Sequence, residues 1–252
     1  MNRVELAPGV QVSRLGLGSV KFGRNQGVKY PKAFDLPSDQ EILTLLSVAQ
    51  ELGINLLDTA PAYGLAETRI GELLPNRSEW VLGSKVGESF DGQSHFDFSK
   101  AGAERSLQQS LSRLKTDYLD YCLLHSDGND LEVLDSGACE ALFEAKQSGA
   151  VRAIGMSSKT AQGGLKALEM GMDVVMITLN AQEQAELEVA KRASDQNRGV
   201  LVKKALGSGH LSAADSLAFV AGQSSVSSII SGTLNTDHLI ENARIVREHS
   251  DA

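Results

Sequence analysis

Four proton-handling or charged side chains stand at or just beyond the ends of short apolar runs. Asp58 and Tyr63 lie in Asn55-Leu-Leu-Asp58-Thr-Ala-Pro-Ala-Tyr63-Gly64, Lys85 ends Val-Leu-Gly-Ser-Lys, and His125 ends Tyr-Cys-Leu-Leu-His. An apolar run that ends in such a group reads as a buried parallel strand delivering it to one rim of a sheet. The set suits acid catalysis on a carbonyl. A phenol, with a pKa near about 10, is a weak acid at neutral pH, and a neighbouring ammonium lowers that value by roughly 1–3 pH units. Lys85 is placed to do this to Tyr63, with Asp58 holding Lys85 charged and His125 orienting the carbonyl oxygen. A positioned acid of this kind contributes roughly 10²–10⁴-fold when it protonates the alkoxide left by hydride addition.

Each residue also has a plainer reading. Asp58 could cap the following loop and Tyr63 could simply pack. Burying a Lys, an Asp and a His on one rim with no task carries a desolvation cost, so the joint arrangement favours function. A second chemistry, a barrel lyase or isomerase with Lys85 as a Schiff-base amine, needs a neutral lysine, and the Asp58 counter-ion argues against it.

The elements that must position these groups alternate. Strands are expected at Leu15–Val20, Asn55–Asp58, Trp80–Lys85, Tyr118–His125, Ala150–Ser157, Asp173–Leu179, Gly199–Lys203 and Ser227–Ser231. Helical periodicity falls between them: Ser38–Leu52, opened by Ser38 with Glu41 three residues on, Ser99–Leu114 with Leu107, Leu111 and Leu114, Asp130–Gln147, Gln182–Asn197 and Thr236–Glu248. Eight units of about 30 residues fit one domain over 1–252: an α/β fold, a single (β/α)8 TIM barrel with short loops on its C-terminal face. The competing doubly wound sheet is weakened because no Gly-x-Gly-x-x-Gly lies between a strand and a helix. Val4–Val12, with Pro8-Gly9 at its turn, reads as an N-terminal β-hairpin that could plug the barrel floor. In such a barrel all four groups lie on the C-terminal rim, where active sites form.

The net charge of −8 argues against nucleic acid or an anionic membrane as a partner. No run reaches the roughly 18 apolar residues of a membrane span, and the N-terminus lacks a signal-peptide core. Cys122 and Cys139 show no metal-type spacing and read as reduced thiols, so a cytoplasmic protein without a metal is expected. No exposed heptad or apolar stripe is evident, and a monomer is expected.

The motif Asp58-Thr-Ala-Pro-Ala-Tyr63-Gly64, the strand ending Lys85-Val-Gly, and Asp117-Tyr-Leu-Asp-Tyr-Cys-Leu-Leu-His125 resemble those of the aldo-keto reductases, NAD(P)H-dependent (β/α)8 oxidoreductases. The resemblance runs from Val12 to Asn242. It implies Tyr63 as general acid, Lys85 and Asp58 as the groups that tune it, and His125 as carbonyl orienter. It also implies a cofactor surface at Gly18, Ser19, Ser157, Ser158, Met176, Lys203, Lys204, Gly232, Thr233, His238, Glu241 and Asn242. Several of these depart from the family pattern. Ser158 replaces an Asn that holds the carboxamide, Met176 a Gln, and Lys203 the aromatic residue that stacks on the nicotinamide. Gly232-Thr233 and His238 stand where many members place a Lys-Ser pair and an Arg around the 2′-phosphate. NADP(H) is expected over NAD(H), with a small-molecule carbonyl as substrate, bordered by Val20, Phe22, Phe90 and Phe96. The altered cofactor contacts leave an alternative of a different class, a nicotinamide-binding sensor or regulatory subunit with little turnover. For Lys203 and Lys204 the plain reading is a solvated pair, while their place before a Gly-rich loop suits a phosphate.

Overall fold

The structure, a computed structural model, describes residues 1–250. In chain order the strands are β1 (Arg3–Ala7), β2 (Val10–Ser13), β3 (Leu15–Gly18), β4 (Leu56–Asp58), β5 (Val81–Val86), β6 (Glu88–Phe90), β7 (Ser94–Phe96), β8 (Leu119–His125), β9 (Val151–Ser157), β10 (Val174–Thr178), β11 (Gly199–Lys203) and β12 (Ser228–Ser231). The helices are α1 (Val20–Gly23), α2 (Asp39–Glu51), α3 (Ala66–Leu73), α4 (Lys100–Leu114), α5 (Asp130–Leu134), α6 (Gly137–Gln147), α7 (Ala161–Glu169), α8 (Leu187–Asp195), α9 (Ala213–Ala221) and α10 (Thr236–Ser250).

Strands β3, β4, β5, β8, β9, β10, β11 and β12 close into a parallel barrel in that circular order. All eight expected strands are present: Gly199–Lys203 matches its expected bounds, Trp80–Lys85 is shifted by one residue to Val81–Val86, and the other six are shorter by one or two residues. Val20 leaves the first to open α1. The Ser38 capping box forms as the sequence suggests, with Ser38 N donating to Glu41 Oε2 at 2.7 Å. Two helices differ from expectation. The segment 130–147 breaks after Leu134 because Ser136 is extended and starts α6 afresh. The other, α8, begins only at Leu187, because the Asn180 side chain turns the preceding chain by accepting from the backbone N–H groups of Gln182 and Glu183. Two rim segments are additional: residues 24–38, without helix or strand, and the antiparallel β6–β7 hairpin.

Alternation along the strands divides the core in two. Outward residues such as Leu57, Leu82, Cys122 and Ile154 pack under the helices. Inward residues Leu56, Val81, Tyr121, Leu123, Ala153, Val174, Met176 and Leu201 fill the barrel, together with Leu6, Ala7, Val10 and Val12 of the β1–β2 hairpin. The hairpin therefore closes the floor, turning at Gly9, whose φ of +76° suits a residue without Cβ. Register then fixes the rim: Asp58 lies beside Gly83, Lys85 beside Leu123, His125 beside Ser157, and Thr178 beside Lys203.

Candidate active site

Asp58, the last residue of β4, and Lys85 of β5 form an ion pair sealed from solvent. The Lys85 ammonium donates to both carboxylate oxygens, at 2.8 and 2.7 Å, and to the Thr59 carbonyl at 2.9 Å. The side chains are 1% and 3% exposed. All three ammonium protons therefore have an acceptor, which is what a buried lysine needs in order to stay charged. Burial pulls the Lys85 pKa down, but Asp58 and Tyr63 together outweigh it and the net shift is upward. Asp58 takes a further hydrogen bond, from the Tyr121 phenol at 2.9 Å.

Tyr63 ends a short turn, Pro61–Tyr63, which puts its ring against this pair. The Lys85 ammonium lies 4.9 Å from the ring centroid. The sequence led us to expect a lowered phenol pKa. In the structure burial dominates: desolvation raises Tyr63 to about 12, against the downward pull of Lys85. The ammonium limits that rise rather than reversing it. His125 ends β8 with its ring edge-on to Tyr63, 6.2 Å between centroids and 89° between planes. Burial, then Lys85 and Lys203, hold its pKa well below the ordinary histidine value, so the imidazole is neutral at physiological pH.

Glu88, the first residue of β6, was not anticipated. Its Oε2 stands 3.1 Å from His125 Nδ1, outside hydrogen-bond alignment, and its Oε1 accepts from Ser94 Oγ at 2.7 Å. Arg24 lies 4.0 Å from the same carboxylate, donates to the Ala62 carbonyl at 2.8 Å, and covers the Phe90 ring at 3.7 Å. Only the additional hairpin brings Glu88 to the mouth. Tyr121 was legible in principle: it shares strand parity with His125, as Gly83 does with Lys85.

The residues expected to meet a cofactor fall into three groups. On the β9–β11 side, Lys203 donates to Ser157 Oγ at 2.8 Å and to the Ser158 carbonyl. Ser158 Oγ donates to Glu186 Oε1 at 2.6 Å, a buried carboxylate also overlooked in the sequence. Desolvation lowers the Lys203 pKa to about 7, and burial raises that of Glu186. Lys204 is exposed with φ of +54°, and Met176 is buried inside the barrel in the same cluster as Leu201 and Leu123. At β3, Gly18 sits beside Asp58, and the buried Ser19 hydroxyl has no hydrogen-bond partner among the described residues. Beyond β12, a Cβ on Gly232 would come within 3.3 Å of the Tyr30 hydroxyl and 3.6 Å of the Gly18 carbonyl oxygen. Here the 24–38 segment reaches across to the β12 rim. Thr233 Oγ1 accepts from Asn235 N, and the backbone N–H of His238 donates to Asn235 Oδ1. Glu241 is paired with Arg244, and Asn242 Nδ2 donates to Ser231 Oγ at 3.1 Å.

The residues expected to border a substrate are divided. Val20 and Phe90 are half-buried. Phe22 belongs instead to the core under the helices, fully buried because α1 turns it inward. Phe96 is 46% exposed on β7 and stacks on Phe98. Both cysteines are free and buried. Among the described residues no group of three or more His, Cys, Asp or Glu side chains converges as a metal site, and no helix is long and apolar enough to cross a membrane.

The closed (β/α)8 barrel thus carries a buried Asp–Lys pair beneath a tyrosine, with a histidine beside it, on its C-terminal rim. Residues 14–217 match the model of the aldo/keto reductase family, and the chain belongs to that family. It is 28% identical over 236 residues to D-threo-aldose 1-dehydrogenase of a Pseudomonas species, covering 81% of this chain and 69% of the relative. Similarity to L-galactose dehydrogenase of Arabidopsis thaliana is 31% over 168 residues, 62% of this chain and 49% of that protein. The chain spans about half the length of several of the curated relatives it matches. A solved aldo-keto reductase structure from Pseudomonas aeruginosa superposes with a TM-score of 0.90 at 47% identity, over 98% of this chain and 95% of that one.

Proposed function

We propose that the protein reduces an aldehyde or ketone to an alcohol with NAD(P)H, using Tyr63 as proton donor. The observation that carries this reading is the dry Asp58–Lys85 pair set against the Tyr63 ring. When bound, a reduced nicotinamide supplies the hydride that the carbonyl carbon accepts. As the carbonyl π electrons move onto oxygen, Tyr63 gives that oxygen its phenolic proton, and Lys85 stabilises the resulting phenolate. An alkoxide is a stronger base than a phenolate even at a phenol pKa of about 12, so the transfer runs downhill. Neutral His125, with its proton on Nε2, hydrogen-bonds the same oxygen and orients it.

The donor set fits the cofactor at two places. The Ser157 hydroxyl and the Lys203 amine suit a carboxamide, and Lys204 before the Gly207–Gly209 turn suits a phosphate. Preference for NADP(H) over NAD(H) rests on Lys204 and His238, because Arg244 is held by Glu241 and Glu248. Since two relatives are named as dehydrogenases of sugars, hydroxylated carbonyls and lactols belong in the substrate panel. The test is oxidation of NADPH and NADH against that panel, with Tyr63→Phe beside the parent. Turnover that disappears in the variant supports the proposal. Turnover that persists refutes Tyr63 as the acid.

One observation favours a second reading. Lys203 engages Ser157 and Ser158, the groups assigned to the carboxamide, and so competes with the ring for them. A sensor would bind cofactor and turn over no carbonyl in the same panel.

A further inference from the structure

Tyr121 is an anomaly in the barrel interior. Its neighbours there are aliphatic (Leu56, Val81, Leu123, Val174 and Leu201 among them), and a phenol among them is costly unless its hydroxyl is satisfied. The hydroxyl reaches Asp58 at 2.9 Å, although Asp58 lies two strands away. Register explains how. Asp58, Gly83 and Tyr121 stand abreast on β4, β5 and β8, Asp58 paired with Gly83 and Gly83 with Tyr121. The ring therefore crosses β5 directly over Gly83. A Cβ there would fall 1.8 Å from Tyr121 Cζ and 2.2 Å from both Cε atoms. Only glycine leaves this passage open. The hydroxyl then shares Asp58 Oδ1 with the Lys85 ammonium.

We propose that Tyr121, admitted by Gly83, is a positioning residue for the catalytic ion pair. It holds Asp58 in place and draws part of its negative charge, which leaves more of the Lys85 charge to act on Tyr63. This rests on the reading of Tyr63 as the acid. Without the phenol, Asp58 Oδ1 has Lys85 alone, the pair closes on itself, and the phenolate that forms on Tyr63 is less stabilised. The ring fills space that a Phe would fill equally, so packing alone does not require the hydroxyl.

The experiment compares the parent, Tyr121→Phe and Leu201→Val, the last a change in the same interior cluster that does not touch Asp58. Steady-state reduction of a carbonyl is measured together with the carbon-13 resonance of the Asp58 carboxylate. In Tyr121→Phe we expect kcat to fall roughly ten-fold, the scale of one hydrogen bond to a charged group partly transmitted to the transition state. We expect KM to stay within about two-fold, and the Asp58 resonance to move. Leu201→Val should leave both unchanged. The proposal is overturned if kcat and the resonance stay at parent values, if KM changes as much as kcat, or if Leu201→Val reproduces the loss. A parent that turns over no carbonyl refutes the acid role of Tyr63, and an unmoved resonance in that case also removes Tyr121 from any hold on Asp58.

Discussion

Replacing Lys85 by Met keeps the length of the side chain and removes its charge. The residue it abandons, Asp58, is 2% exposed and would keep only the Tyr121 hydroxyl as a side-chain donor. Breaking a buried pair on one side costs about 3–5 kcal/mol, because the remaining charge has neither water nor partner. With an unfolding entropy of about 2.1 cal/mol/K per residue, 252 residues give about 0.5 kcal/mol/K, so the melting temperature should fall by about 6–10 °C. Adding Asp58→Asn to Lys85→Met removes the stranded charge and should restore most of that loss. Activity should not return, since neither change restores an ammonium beside Tyr63. The assay is a thermal double-mutant cycle with turnover measured on each variant. A Lys85→Met protein as stable as the parent, or a double variant less stable than the sum of the singles, would refute the argument. The sign with pH is fixed as well. The pKa of Lys85 is raised in the folded state, so its stabilisation is complete below the ordinary lysine value and is lost as pH climbs through the raised one.

Gly83→Ala should destabilise by roughly 2–4 kcal/mol through the clash with the Tyr121 ring, and Tyr121→Leu in the same chain should recover part of it; urea unfolding measures both. With its pKa lowered to about 7, Lys203 is charged at pH 6 and largely neutral at pH 8.5. Cofactor affinity, read by fluorescence titration, should therefore weaken across that interval in the parent and stay flat in Lys203→Met. Because the folded value lies below the unfolded one, charged Lys203 also opposes folding at low pH, and that penalty fades between pH 7 and the ordinary lysine range. Glu88→Gln should lower turnover several-fold without unfolding the protein, and no ionisation of His125 should break the rate profile between pH 6 and 9 in the parent.

The barrel and the meeting of Asp58, Tyr63, Lys85 and His125 on one rim were legible because each depends on a local signal. Apolar runs of strand length end in Asp58, Lys85 and His125, and glycine or a capping residue punctuates the intervening helices. What escaped depends on lateral neighbours. The run Glu88-Ser-Phe has no strong strand signal of its own and becomes a strand only by pairing with Ser94–Phe96. The role of Gly83 is invisible until β8 is placed beside β5. Phe22 looked available because it follows a strand end, yet a one-turn helix rotates it into the core. The phenol acidity of Tyr63 depends on placement in the same way. The nearby ammonium could be named from the sequence, but the degree of burial opposing it could not.

The N-terminal hairpin acts on the chemistry without touching it. Leu6, Ala7, Val10 and Val12 fill the lower barrel and continue into the aliphatic column beneath Tyr121. The hairpin and this column close the barrel beneath the ion pair with aliphatic side chains. The floor thus sets the dielectric in which Lys85 acts. A hairpin that frays would weaken the field of the Lys85 ammonium before it moved any side chain at the rim.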